Sequence, residues 1–260
     1  MIPLRDQEYI RERFARELEG RVKIDYFTQR ASALFVPGRE ECAACDDTRK
    51  LLEEVAALSE KVTLIEHEFS EAREEAAKYH VDRVPGIVVR GPANRPLRFF
   101  GIPAGNEFPN FIETIIAASH QKVAVAPEAA KALKKLKDNV SVTVYVTPTC
   151  PHCPGVVRAA YRLALASAHV EAAAVEISEF PALGQQLGIR AVPFTIIANK
   201  TAIAGAMDEQ ALAEHVLKAA TGEAIGAAAQ AGATTSAEPP AQGGPPTGGT
   251  ATGSGLIIPR

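Results

Sequence analysis

The four cysteines of this 260-residue chain form two Cys-x-x-Cys pairs, Cys42-Ala43-Ala44-Cys45 and Cys150-Pro151-His152-Cys153. The pairs start 108 residues apart (150 − 42), and Val84-Pro85 stands the same distance before Val192-Pro193 (193 − 85). In each half the proline follows the first cysteine by 43 residues (85 − 42; 193 − 150). Equal intervals of this kind point to a duplicated unit. Two cysteines so spaced at a helix start place the first sulfur at the exposed N-terminal edge. There, unpaired backbone N–H groups and the helix dipole stabilise a thiolate. The second sulfur sits one turn in, within reach to resolve a mixed disulfide. These positions make Cys42 and Cys150 the attacking thiols and Cys45 and Cys153 the resolving ones.

The repeated Val-Pro suggests a cis-proline loop packed against each pair. Such a loop leaves Val84 or Val192 to align its backbone with an extended substrate, with Pro85 and Pro193 completing the binding surface. The plainer alternative is a trans proline that begins a strand. A single four-cysteine zinc site is another alternative. Compact zinc ribbons separate their pairs by about 12 to 20 residues, whereas Cys45 and Cys150 are 105 apart (150 − 45). His67, His80, His120, His169 and His215 show no metal-ligand spacing, so no metal is expected.

The two sites should differ. Glu40-Glu41 and Asp46-Asp47 flank the first pair, offset by Arg39, Arg49 and Lys50, while the second has no acid beside it in sequence and carries His152 between its cysteines. Negative neighbours disfavour a thiolate, and an imidazole donates to it or charges beside it. Cys150 is therefore expected to be the more acidic thiol, tuned by His152, with the higher reduction potential.

The elements that must position these residues read in the same order twice. In the first half, a helix over 6–19 with Asp6 as its cap precedes strands over 22–27 and 33–36. A helix follows Cys42, then a strand over 62–69, a helix over 71–79, strands over 87–90 and 97–100, and a helix over 107–118. The second half gives a strand over 141–146, a helix over 151–167, a strand over 170–177 and a helix over 181–187. Strands over 194–198 and 202–205 and a helix over 209–220 complete it. This order requires a small mixed sheet with helices on both faces, and two such units could share one continuous sheet. The hairpin after the second proline is four residues shorter, because Gly101 matches Gly205. From about residue 221 the chain is mostly Ala, Gly, Pro, Thr and Ser, which cannot offset its ordering entropy. That tail is expected to be disordered, with Leu256-Ile257-Ile258-Pro259-Arg260 as an apolar end.

Hydrophobic content of 47% with 23% charged residues suits a globular protein, and a net charge of −3 gives no reason to expect nucleic acid or membrane as a partner. No apolar run reaches the 18 or so residues of a membrane span. The start, Met1-Ile2-Pro3-Leu4-Arg5, lacks the basic and apolar regions of a secretory signal. A cytoplasmic location is expected, and in that reducing compartment paired cysteines are redox catalysts or metal ligands more often than staples.

The chain resembles the thioredoxin superfamily, and more closely the tandem protein disulfide oxidoreductases (glutaredoxin-like) of thermophilic archaea and bacteria. The residues that carry this are the two Cys-x-x-Cys pairs, Val84-Pro85, Ala191-Val192-Pro193, Val146-Thr147-Pro148-Thr149 with Pro154, and the run Phe100-Gly101-Ile102-Pro103-Ala104-Gly105-Asn106-Glu107-Phe108. The likeness covers about residues 5 to 220. It implies an α/β fold of two tandem thioredoxin-fold units, a mixed sheet with helices on both faces, followed by the tail. The units would span 1–121 with Cys42 and Cys45, and 122–220 with Cys150 and Cys153, leaving 221–260 as the tail. It also implies dithiol–disulfide exchange on client proteins, the second site being the more active, with no cofactor beyond the redox-active disulfides. A thioredoxin-reductase-like enzyme would be the upstream reductant.

A second reading makes the chain a dedicated electron carrier to a peroxiredoxin, as in the flavin-linked peroxidase reductases, where one half alone keeps a cysteine pair. Some features depart from the pattern. Tryptophan is absent, and Val36 and Val144, six residues before the first cysteines, stand where ordinary thioredoxins bury a carboxylate. Glu68 and Glu176 are substitutes for that acid or merely exposed strand residues. The connection 29–41 is longer than usual, which blurs which early strand leads into Cys42.

Overall fold

The computed structural model describes residues 2–30 and 41–222. The expected strand over 33–36 with Val36, most of the connection 29–41, and the tail from 223 with its apolar end lie outside the described residues. In the first half the elements are α1 (Leu4–Glu17), β1 (Val22–Thr28), α2 (Cys45–Ala56), β2 (Val62–Glu68), α3 (Arg73–Lys78), β3 (Gly86–Arg90), β4 (Leu97–Phe100) and α4 (Glu107–Ser119). After α5 (Pro127–Leu133) come β5 (Val140–Val146), α6 (Cys153–Ala166), β6 (Val170–Glu176), α7 (Pro181–Gln186), β7 (Phe194–Ile197), β8 (Thr201–Ala204) and α8 (Glu209–Thr221).

Local chemistry accounts for most boundaries. β1 and β5 are rich in β-branched and aromatic residues, which fit a pleated surface covered on both sides. Asp208 caps α8 by accepting the Ala211 N–H at 2.8 Å. At α1 the structure corrects the sequence reading. The helix begins at Leu4 behind Pro3, whose carbonyl takes the Asp6 and Gln7 N–H groups, so Asp6 lies in the first turn and caps nothing. α5 escapes periodicity because it is short and its buried face is mainly alanine (Ala129, Ala132) beside Leu133.

The strands form one eight-stranded sheet in the order β2-β1-β3-β4-β6-β5-β7-β8. Parallel pairing of β4 with β6, from Arg98 opposite Ala173 to Phe100 opposite Val175, fuses the halves. Only β3 and β7 run against the other strands. The β1-α2-β2 and β5-α6-β6 crossovers repeat one handedness, which sets α2 and α6 on the same face. That face also buries residues of α1, α4, α5 and α8 in a core that runs through both halves, from Phe14, Leu52 and Ile115 to Leu163 and Leu212. A smaller cluster under α3 and α7 fills the other face, around Phe27, Phe100, Tyr145 and Val175.

Register settles which strand leads into Cys42. Val22 pairs with Val62, and Val140 with Val170. The partners are 108 apart (170 − 62), but the leading strands are 118 apart (140 − 22). The first half thus carries ten more residues between its leading strand, β1, and its cysteines. By this register Tyr26, opposite Glu66, corresponds to Val144, opposite Ala174. Tyr26, not Val36, is the counterpart of Val144.

Candidate active site

Cys45 and Cys153 open α2 and α6, so Cys42 and Cys150 occupy the turns just before those helices. Both pairs are closed as disulfides, with S–S distances of 2.04 Å for Cys42–Cys45 and 2.17 Å for Cys150–Cys153. The second cysteine of each pair is inside, Cys45 being 1% and Cys153 0% exposed. Cys42 is half-buried, and Cys150 is only 8% exposed, more enclosed than the helix-start argument predicts. The loop after β4, from the first half, packs against the turn that carries Cys150. Its Asn106 N–H donates to the Pro148 carbonyl at 2.9 Å, two residues before Cys150. Gly105, with φ +58°, permits the approach, because a Cβ there would lie 2.4 Å from the same oxygen.

The surroundings of the two pairs differ in detail. Asp46 pairs with Arg49 at 2.9 Å and Asp47 with Lys50 at 3.4 Å, so the acids that follow Cys45 are largely compensated. At the second site the Cys153 N–H donates to the Cys150 Sγ at 3.1 Å, a helix-start donor aimed at that sulfur. In the first pair the Cys45 N–H goes instead to the Cys42 carbonyl at 3.4 Å. His152 is the N-cap residue of α6 and is exposed, and its ring makes no hydrogen bond among the described residues.

Val84-Pro85 and Val192-Pro193 are both cis. Register places Pro85 opposite Thr28 and Pro193 opposite Val146, the last residues of the strands that lead into the pairs. Each proline carbonyl is held by a glycine N–H, Gly101 to Pro85 at 2.8 Å and Gly205 to Pro193 at 2.9 Å. Val84 and Val192, half-buried, make no backbone hydrogen bond among the described residues. Their N–H and C=O groups are thus available at the sheet edge where the disulfides lie. At the first site a cleft of about 900 Å³ brings together Cys42, Val84, Pro85 and Glu68 with Glu179 and Phe180 of the other half. Arg83 forms part of its wall, its guanidinium stacked 5.4 Å from the Phe180 ring and paired with Asp82 at 2.8 Å.

Groups able to hold a proton differ between the sites. Below Cys45, the buried Tyr26 hydroxyl donates to the Cys45 carbonyl at 2.6 Å, and burial pushes its pKa up to about 12. At the second site the corresponding residue is Val144, but a carboxyl arrives from elsewhere. Glu107 opens α4, is 1% exposed, and is pushed up to about 7 by burial, against the pull of the Asn110 amide that donates to it at 3.0 Å. Its Oε1 has no partner among the described residues. Because β4 and β5 run the same way, α4 and α6 also run side by side in one direction, which sets Glu107 toward the N-terminal half of α6, one residue after the Asn106–Pro148 hydrogen bond and within electrostatic reach of Arg158 and Tyr161. Sequence reasoning noted the run from Phe100 to Phe108 but missed this acid, since a glutamate opening a helix is ordinary. The two acids that it did name are engaged otherwise. Glu176 is 3% exposed, not exposed, and accepts the Ser178 and Glu179 N–H groups at 3.1 Å. Glu68 accepts from the Arg30 N–H at 3.0 Å and the Ser70 hydroxyl at 3.2 Å.

The cysteine pairs do not meet at one point, since β3, β4 and β6 separate β1 from β5. Among the described residues, no three His, Cys, Asp or Glu side chains are grouped to hold a metal, and no helix is long and apolar enough to cross a membrane.

Comparison with known proteins agrees with this geometry. The thioredoxin-domain family matches residues 140–218. Thioredoxin from Methanocaldococcus jannaschii is 31% identical over 80 residues, which cover 30% of this chain and 94% of that protein. A protein disulfide oxidoreductase from Aeropyrum pernix K1 superposes with a TM-score of 0.74 at 25% identity, over 85% of this chain and 94% of that one. The F component of alkyl hydroperoxide reductase in Pseudomonas putida is 28% identical over 161 residues, 59% of this chain and 29% of its own length. The chain thus spans less than a third of that longer curated relative.

Proposed function

This chain belongs to the thioredoxin family, and from that premise we propose that it is a protein-disulfide oxidoreductase with two exchange sites. The observation that carries the reading is the pairing, twice on one sheet edge, of a closed Cys-x-x-Cys disulfide at a helix start with an unpaired valine backbone. In the reducing direction the Cys42 or Cys150 thiolate attacks a client cystine. The client S–S bond breaks, its departing sulfur takes a proton, and a mixed disulfide forms. Cys45 or Cys153 then loses its proton and bonds to its neighbour's sulfur. The client leaves as a dithiol and the chain keeps the disulfide. Val84 or Val192 would hold the client segment as an added strand, with Pro85 or Pro193 beneath it.

The Cys150 site is the stronger candidate, because the Cys153 N–H already points at the Cys150 sulfur. His152 tunes it from the exposed side. Glu107 would take the Cys153 proton. No cofactor beyond the disulfides is required, and a thioredoxin-reductase-like enzyme would restore the dithiols. That regeneration suits a reducing, cytoplasmic setting. The units would divide near residues 121 and 122, between α4 and α5. Insulin reduction tests the reading: Cys150→Ser should abolish most activity, and full activity in the variant with all four cysteines changed to serine would overturn it.

A second reading, an electron carrier to a peroxiredoxin, is favoured by the likeness to the F component of alkyl hydroperoxide reductase. Peroxide turnover with a peroxiredoxin, but none with insulin, would select it.

A further inference from the structure

Three buried hydroxyls on β1 and α2, the elements that flank Cys45, have no part in the exchange steps above. Along α2 the buried residues Cys45, Thr48, Leu52 and Val55 make one stripe toward the sheet. Tyr26 and Thr28, two apart on β1, share the face of the sheet that meets this stripe. The Tyr26 hydroxyl reaches the Cys45 carbonyl, and the Thr28 hydroxyl lies close enough to that phenol to oppose the effect of its burial. Thr28 and Thr48 are each 0% exposed, yet neither hydroxyl has a hydrogen-bond partner of good geometry among the described residues. A buried hydroxyl without a partner costs its full desolvation.

The second half shows that the fold does not need them. Register equates Tyr26 with Val144 and Thr28 with Val146, and the offset from Cys45 to Cys153 equates Thr48 with Val156. All three valines are buried. Hydroxyls at every one of these positions around one resolving cysteine, and valines around the other, mark a chemical difference between the couples.

We propose that Tyr26, Thr28 and Thr48 form a hydroxyl cradle for the Cys45 sulfur, engaged once the Cys42–Cys45 disulfide opens. This rests on the exchange reading above and adds how the first site handles its proton. A disulfide sulfur offers the hydroxyls little, whereas the opened Cys45 carries either an S–H to donate to a threonine oxygen or a negative charge to accept from threonine O–H groups. During resolution the Cys45 S–H proton passes to the departing sulfur and the Cys45 sulfur bonds to the Cys42 sulfur. The bond from Cys42 to its adduct breaks, releasing one thiol for each disulfide formed. The cradle holds Cys45 as thiolate while that proton is in transit. At the second site a carboxyl, Glu107, is available instead, so the two couples manage the same proton with different groups.

The test uses the full chain carrying Cys150→Ser and Cys153→Ser, with Cys42 loaded as a mixed disulfide to 5-thio-2-nitrobenzoate. Attack by Cys45 releases this coloured thiolate and is followed by stopped flow. Thr28→Val with Thr48→Val should slow release about tenfold, the low end of what a hydrogen bond to a charged group contributes. Each single valine should slow it less, and Thr28→Ser with Thr48→Ser should restore it to within about twofold. The oxidised valine variants should unfold no earlier than the parent, because an unpaired hydroxyl has been replaced by a methyl. Release as fast in the double valine variant as in the parent, or no rescue by serine, overturns the cradle. No client protein takes part, so failure of the chain to reduce insulin is a separate result.

Discussion

Glu107 keeps its proton at a pH where an exposed glutamate has lost it. Its ordinary value is 4.5, and burial pushes it up to about 7 in the folded chain. Between these values the folded protein binds a proton that the unfolded chain has released, so stability falls as pH rises through the window. The loss amounts to about 3 kcal/mol at 1.36 kcal/mol per unit. Glu107→Gln should flatten that part of the stability curve, measured as urea midpoints from pH 4 to 8 against the parent, and should slow turnover at Cys150 while leaving Cys42 untouched. A curve as steep as the parent's would mean that the carboxyl is already ionised in the fold. Cys42, Cys45, Cys150, Cys153 and the Val-Pro pairs were legible in the sequence because their side chains and spacing are themselves the signal. Glu107, Tyr26 and Thr28 were not, since only strand register and helix packing show which elements they face.

At the scale of elements, the loop between β4 and α4 belongs to the first half but covers the second site. Gly105 is its tightest point. Gly105→Ala puts a Cβ into the Pro148 carbonyl and asks alanine for a left-handed backbone, which alone costs about 1–2 kcal/mol. The expected result is a lower thermal midpoint together with faster alkylation of Cys150 in the reduced protein, with Cys42 unchanged; equal alkylation rates at Cys150 would show that the loop does not shield it. Sequence periodicity recovered every strand of the sheet, because β-branched runs such as Val140–Val146 have few other uses. It missed α5, whose alanines carry no amphipathic signal, and it misjudged the path into Cys42. There the ten additional residues shift the first half relative to the second, and only the ladder of β1 on β2 reveals the shift.

For the whole molecule, the β4–β6 ladder and the continuous core join the halves in one sheet and one hydrophobic cluster. Unfolding in guanidinium should show a single transition, coincident by far-UV circular dichroism and tyrosine fluorescence; two separated transitions would mean that the shared sheet couples the halves weakly. The pairing has a further consequence. Strands β1 and β5 point the same way, so both disulfides open along one rim, and the strands that lead into them lie four strand spacings, about 19 Å, apart. If both sites exchange disulfides as proposed, a substrate holding two cystines at a matching distance would be gripped at both ends, and the second swap would proceed within the bound pair at about millimolar effective concentration. On the exchange reading proposed above, tandem architecture would favour multiply bridged substrates over singly bridged ones without any new contact.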